Sequence, residues 1–109
     1  MLAGNVALRV DGERADHVRQ VIDWLDKELK ITAYDLPVGA PNDAGQCPLA
    51  RIIQLDLGKE ASVRHSSIVI RDFNIAGAVE LREITLPQII TDWLKDFDGG
   101  KYPEYEEVK

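Results

Sequence analysis

Val6, Leu8 and Val10 alternate with Ala7 and Arg9, the period-two signature of a short strand, which Asp11-Gly12 ends. At Glu13 the period lengthens. Ala15, Val18, Ile22, Leu25 and Leu29 recur at intervals of 3, 4, 3 and 4, and Val21 and Trp24 widen the stripe. That spacing predicts a helix over 13–29. Two heptads are too few for a coiled coil, so the stripe reads as core, with Trp24 at its edge where a partner helix could dock.

Beyond the helix, residues 31–36 (ITAYDL) read as a short strand, and PVGAPNDAGQ reads as a flexible loop rich in turn formers. Pro48 suits the first turn of a helix because its missing N–H is not needed there, which places Cys47 at or beside the N-cap. Leu49, Ile52, Ile53 and Leu57 share a face, and Gly58 supplies the stop. Residues 62–72 and 75–83 are β-branched and alternating, joined at Phe73-Asn74, and predict a hairpin. Thr85-Leu86-Pro87-Gln88 has the form of a capping box. Leu86, Ile89, Ile90, Trp93, Leu94 and Phe97 then give a wide apolar face, closed by Gly99-Gly100. The tail KYPEYEEVK reads as a short edge strand or a loose end. The sum is an α+β fold: a small antiparallel or mixed sheet of four to five short strands, packed by about three helices.

Composition narrows the partners. A chain of 109 residues fits one domain over 1–109, and 45% hydrophobic with 29% charged residues suffices for a core. A domain of this size buries a modest share of its surface, so a homodimer or a bound partner would add stability. The net charge of -6 and pI near 4.8 argue against direct nucleic-acid binding and against an anionic membrane. One cysteine makes no internal disulfide, no basic-then-apolar start is visible, and no apolar run approaches membrane-spanning length; a cytoplasmic protein is expected.

From about residue 30 the motifs fall in a recognisable order. Ile31, Thr32, Asp35 and Leu36 precede a glycine-rich loop, and Cys47, Pro48, Leu49 and Ala50 open a helix. Pro87, Phe97, Asp98 and Gly100 bracket the last helix, and Pro103, Tyr105 and Glu106 lie in the closing segment. In this order the chain resembles a class of short proteins encoded by actinobacterial phages and their hosts, over about residues 30–109. Residues 1–29 look like an addition. The resemblance implies a phage or prophage origin and a shared fold, and carries no activity across.

Candidate chemistry is sparse. A helix N-terminus can stabilise a Cys47 thiolate, yet catalysis needs a base, and His17 and His65 are the only histidines. Capping and packing is the better reading of Cys47. One cysteine and two separated histidines make no zinc site, and Asp96-Phe97-Asp98-Gly99-Gly100 with Glu104 matches a calcium loop only faintly. No metal and no cofactor are expected. Charge is uneven: residues 83–109 carry seven acidic against three basic side chains, a net of -4, whereas 51–82 are at +1. If Asp92, Asp96, Asp98, Glu104, Glu106 and Glu107 share a surface, it could engage a basic groove as a DNA mimic does, with Tyr102 and Tyr105 as interface aromatics.

The leading expectation is therefore a non-enzymatic, phage-type accessory protein that binds and modulates a host or defence protein through those residues and Trp24. The alternative is a small-ligand-binding or sequestering module, dimeric, that uses the 37–47 loop (Asn42, Asp43, Cys47) and the hairpin. A cysteine-dependent enzyme ranks last.

Overall fold

The apolar stripe of the first helix is buried as its spacing requires. In a computed structural model, which describes residues 8–73, 77 and 79–107, α1 spans Gly12–Leu29 and buries Ala15, Val18, Val21, Leu25 and Leu29. Ile22 and Trp24 sit at its margin, half-buried against the core. No glycine ends α1. Lys30 adopts the left-handed conformation (φ 58°) and returns its N–H to Asp26. The rest of the order is α2 (Pro48–Leu57), β1 (Glu60–Val63), β2 (Ser67–Phe73), β3 (Val79–Thr85), α3 (Gln88–Asp98) and a 3-10 turn at Pro103–Tyr105. Among the described residues the fold is α+β, with three helices and one three-stranded antiparallel sheet in the order β1-β2-β3. No described helix is long and apolar enough to cross a membrane.

Among the described residues fewer strands form than the four to five expected, and each difference has a physical reason. The expected hairpin is a meander: its first arm breaks at residues 64–66, where the Arg64 N–H bonds to the Ser67 carbonyl. Apolar alternation stops there in the polar run Arg64-His65-Ser66-Ser67, which a single strand could not bury. Residues 31–36 are irregular, although Ile31 and Leu36 are buried. Their backbone is held by a carboxylate in place of a neighbouring strand. Asp35 accepts the N–H groups of Leu36 (2.8 Å) and Arg9 (3.0 Å) and the Tyr105 hydroxyl (2.6 Å). With Arg9 used in that way, residues 8–10 form no strand. Val6 and Asn74 lie outside the described residues.

The capping box at Thr85 does not form either. Thr85 is the last residue of β3 and pairs with Ser67, and α3 starts after Pro87 with no side-chain cap. Nor are residues 101–107 of the C-terminal segment a strand or a loose end, and the last two residues lie outside the described ones. The segment makes the 3-10 turn and one parallel bridge between Gly39 and Glu106.

Inside, α1 packs on α3, α2 packs on β1, and Ala61, Val63, Ile68 and Ile70 turn one sheet face inward. Between α1 and α3, the His17 Nε2–H donates to the Ile89 carbonyl (2.8 Å). Trp93 stacks on Phe97 (5.5 Å between ring centres) and meets Tyr102 and Tyr105 at 5.3 and 6.1 Å. Such offset and tilted pairs add to the gain from burying their area.

Gly39 joins the C-terminal segment to the start of α2. Its N–H donates to the Tyr105 carbonyl (2.8 Å), and its own carbonyl accepts from Glu107 (2.9 Å). A Cβ here would lie 2.5 Å from the Gln46 carbonyl oxygen and the Pro48 nitrogen, both backbone atoms. Gly39→Ala is therefore expected to destabilise the fold by about 3 kcal/mol in urea unfolding. Gly45→Ala in the same loop, where the added methyl meets only Asp43 at 3.8 Å, should be close to neutral. Equal effects at the two positions would contradict the close approach at Gly39.

Candidate functional site

The loop before α2 is built, not flexible. The Asp43 carboxylate accepts the Gly45 N–H (3.1 Å), and its carbonyl accepts those of Gln46 and Cys47. An aspartate that folds back on its own turn in this way fixes the loop. Gln54 reaches back from α2 to the Gly45 carbonyl (2.9 Å), and the Ala44 carbonyl accepts the Val63 N–H at the end of β1 (2.8 Å). Asn42 takes a left-handed conformation (φ 56°), which asparagine tolerates better than most residues.

Asp98, the last residue of α3, ties this loop to the turn between β1 and β2. One carboxylate oxygen accepts the Asn42 N–H (2.8 Å), and the other accepts the Nε2–H of His65 (2.6 Å). Asn42 Nδ2 also bonds to the Asp98 carbonyl (3.3 Å), and the Thr91 hydroxyl donates to the His65 carbonyl. Two turns and the end of a helix thus converge on an open cleft of about 290 Å³. Cys47, Val63 and Leu94 contribute its apolar lining. Asn42, Asp43, Arg64, His65 and Asp98 bring hydrogen-bond donors and acceptors to it. All three loop candidates, Asn42, Asp43 and Cys47, line this cleft. Arg64 and His65 were not singled out as site residues from the sequence. The signals for them are the hairpin that holds them, named with the 37–47 loop in the ligand-binding expectation, the weighing of His65 as a base, and the polar run that breaks the strand pattern.

Cys47 is the N-cap of α2. Its Sγ accepts the Ala50 N–H at 3.5 Å, and the residue is 4% exposed. Burial pushes the thiol up to about 11, with Asp98 and Asp43 adding to the effect. The cap bonds from Ala50 and Leu49 pull the other way and lose. At neutral pH the side chain is a thiol that packs and caps, a poor nucleophile.

The acidic set does not form one free surface. Asp96 pairs with Lys101 (3.4 Å), Asp98 with His65, Glu104 with Arg14 (2.6 Å) and Glu107 with Arg51 (2.9 Å). The Arg14 pair is two-pronged, so the guanidinium lowers the Glu104 carboxyl below its usual range. Asp92 is exposed and bonds to Gln88 (2.7 Å), and Glu106 is half-buried beside Gly39. Most of these carboxylates therefore have basic partners within their own chain. Among the described residues, no group of three or more His, Cys, Asp or Glu is placed to hold a metal.

Tyr102 and Tyr105, expected as interface aromatics, lie in the core. Both are buried in the aromatic cluster with Trp93, which leaves them almost no surface to offer a partner. Tyr105 donates to Asp35, and burial followed by that carboxylate pushes its phenol upward. Tyr102 lies beneath the Arg14 guanidinium (5.7 Å) with its hydroxyl 3.4 Å from His17 Nδ1. Trp24 packs at the margin of α1, away from the cleft lining.

The raised thiol has a pH signature. Its folded value is about 11 against an ordinary 9.0, so the unfolded chain ionises first as pH rises. The contribution is intact below pH 9 and is lost between pH 9 and 11. Labelling of Cys47 at pH 7.5 is expected to be far slower in the folded protein than in denaturant, accelerating only toward pH 11. Equal rates at pH 7.5 would show an accessible thiolate instead. No family model matches the chain, nor does any curated protein or solved structure, so the chemistry of the cleft rests on its own geometry.

Proposed function

We propose that the protein is a non-enzymatic small-ligand-binding module whose site is the cleft between residues 42–47, residues 64–65 and the end of α3. The observation that carries this reading is the Asp98 clamp. One carboxylate holds both turns in place, so the cleft is formed before any ligand arrives. Preformed concave sites with an apolar floor and a few converging polar groups are the usual form of ligand pockets. At about 290 Å³ the space is at the lower end for such sites and suits a molecule of amino-acid size. An apolar body would rest on Cys47, Val63 and Leu94, and a polar end would meet Arg64 and His65.

Nuclear magnetic resonance screening with a library of amino-acid-sized compounds tests this directly. Amide shifts confined to residues 42–47, 63–65 and 94–98, lost in Arg64→Glu with an unchanged melting temperature of the free protein, are the expected result. A ligand present at 100 times its Kd would add about 2.7 kcal/mol of stability. Absence of any localised shift across the library would count against the site.

The phage-type accessory reading, in which the chain occupies a host or defence protein, keeps one support. Tyr34 and Leu55 are 75% and 78% exposed, large apolar side chains that offer a protein contact. Its acidic version is weakened by the ion pairs described above. Tyr34→Ser with Leu55→Ser is expected to abolish recovery of a specific partner from host lysate; a partner retained by the double variant would place its contact elsewhere.

A further inference from the structure

We infer that the outer edge of β3 pairs with β3 of a second copy, antiparallel and centred on Leu81, to give a continuous six-stranded sheet. β3 is the end strand of the sheet, and among the described residues nothing bonds to its outer edge. Val79 and Leu81 are 51% and 65% exposed, and of the residues from 79 to 85 only Ile84 is half-buried. An edge strand of this kind is a template for another strand; it has no proline, and the charges that would guard it against a neighbour, Glu80, Arg82 and Glu83, are of both signs.

Backbone phase restricts the possible registers. The Leu86 N–H bonds to the Ser66 carbonyl (2.9 Å), one step beyond the Ser67–Thr85 pair. Hydrogen-bonded positions alternate along an antiparallel ladder, so residues 80, 82 and 84 direct their backbone toward β2, and 79, 81, 83 and 85 direct theirs outward. Two copies related by a two-fold axis can join outward groups only when the axis passes through a residue, not between residues.

Charge then selects among the remaining centres. An axis at Glu80 would set two Glu80 side chains against each other, and an axis at Arg82 would set two arginines together. Both clashes would fall in non-hydrogen-bonded positions, where side chains approach most closely. An axis at Leu81 sets Glu80 opposite Arg82 of the copy, twice, with Leu81 against Leu81. It also pairs Val79 with Glu83 of the copy, for roughly six backbone hydrogen bonds.

Within one chain these two charges are poorly served. Glu80 lies opposite Asp72, whose carboxylate is already paired with Lys59 (3.0 Å), and Arg82 lies opposite the buried Ile70. Among the described residues neither Glu80 nor Arg82 has an ion-pair partner, in contrast to the matched carboxylates of the C-terminal third. The strand is complementary to itself in one register, which points to a second copy over an unrelated partner.

Sedimentation over a concentration series tests the pairing. Wild-type protein is expected to dimerise reversibly. Arg82→Glu alone and Glu80→Arg alone, each placing like charges together, should weaken association at least tenfold while leaving circular dichroism unchanged. An equimolar mixture of the two variants should recover a heterodimer, since each then supplies the charge that the other lacks. Oxidation of Leu81→Cys should cross-link copies, whereas Glu83→Cys, whose equivalent in the copy lies too far for a disulfide, should not. A wild-type chain monomeric at every concentration overturns the proposal and leaves the edge to a strand of another protein. Association indifferent to both charge reversals, or cross-linking at 83 and not at 81, also overturns it.

Discussion

The absent side chain of Gly39 is the constraint on which the loop, the C-terminal segment and the start of α2 all depend. Backbone of residues 46–48 passes so close that no Cβ fits, and the same glycine carries both hydrogen bonds of the bridge to residues 105–107. That bridge sets Tyr105 beneath the core and its hydroxyl on Asp35. Asp35 in turn fixes residues 8–10 and 31–36. A chain of short-range contacts thus runs from one glycine to both ends of the described fold. None of these links is a strand.

Two carboxylates stand where a larger sheet would have supplied backbone partners. Asp35 serves two backbone N–H groups and a hydroxyl, and Asp98 serves a backbone N–H and an imidazole. Buried or half-buried backbone groups must find partners, and a charged acceptor is a strong one. This explains how irregular segments can line the core of so small a protein. It also explains why the cleft is rigid: the group that anchors its two rims is the same Asp98.

Elements whose register is written in apolar period were legible in the sequence. The stripe at 15–29, the Cys47-Pro48 junction with its Gly58 stop, and the face from Ile90 to Phe97 all form helices close to the expected bounds. Illegible were the features that depend on partners remote in sequence. Residues 31–36 have strand composition, but Asp35 bonds to Tyr105, 70 residues on. Glu104 and Glu107 read as free charge because Arg14 and Arg51 lie 90 and 56 residues away. Tyr102 and Tyr105 read as interface aromatics among carboxylates, and packing against Trp93 overrode that context. Both walls of the cleft were marked, the loop by composition and the hairpin by its alternation, whereas the placing of Arg64 and His65 in a turn required knowing that β1 ends at Val63.

The distribution of charge gives the molecule two unlike faces. In the C-terminal third, most carboxylates are matched within the chain, which weakens the concentrated field that a nucleic-acid mimic would present. On β3, opposite charges alternate two residues apart on one face of an edge strand and find no match among the described residues of their own chain. Exposed ion pairs contribute little to folding, so leaving Glu80 and Arg82 unpaired costs little in the monomer. The same charges, set opposite each other between two bare edges, select a register because the neighbouring alternatives place like charges in contact. The pattern that is nearly neutral for folding is therefore the one with most influence on how copies meet.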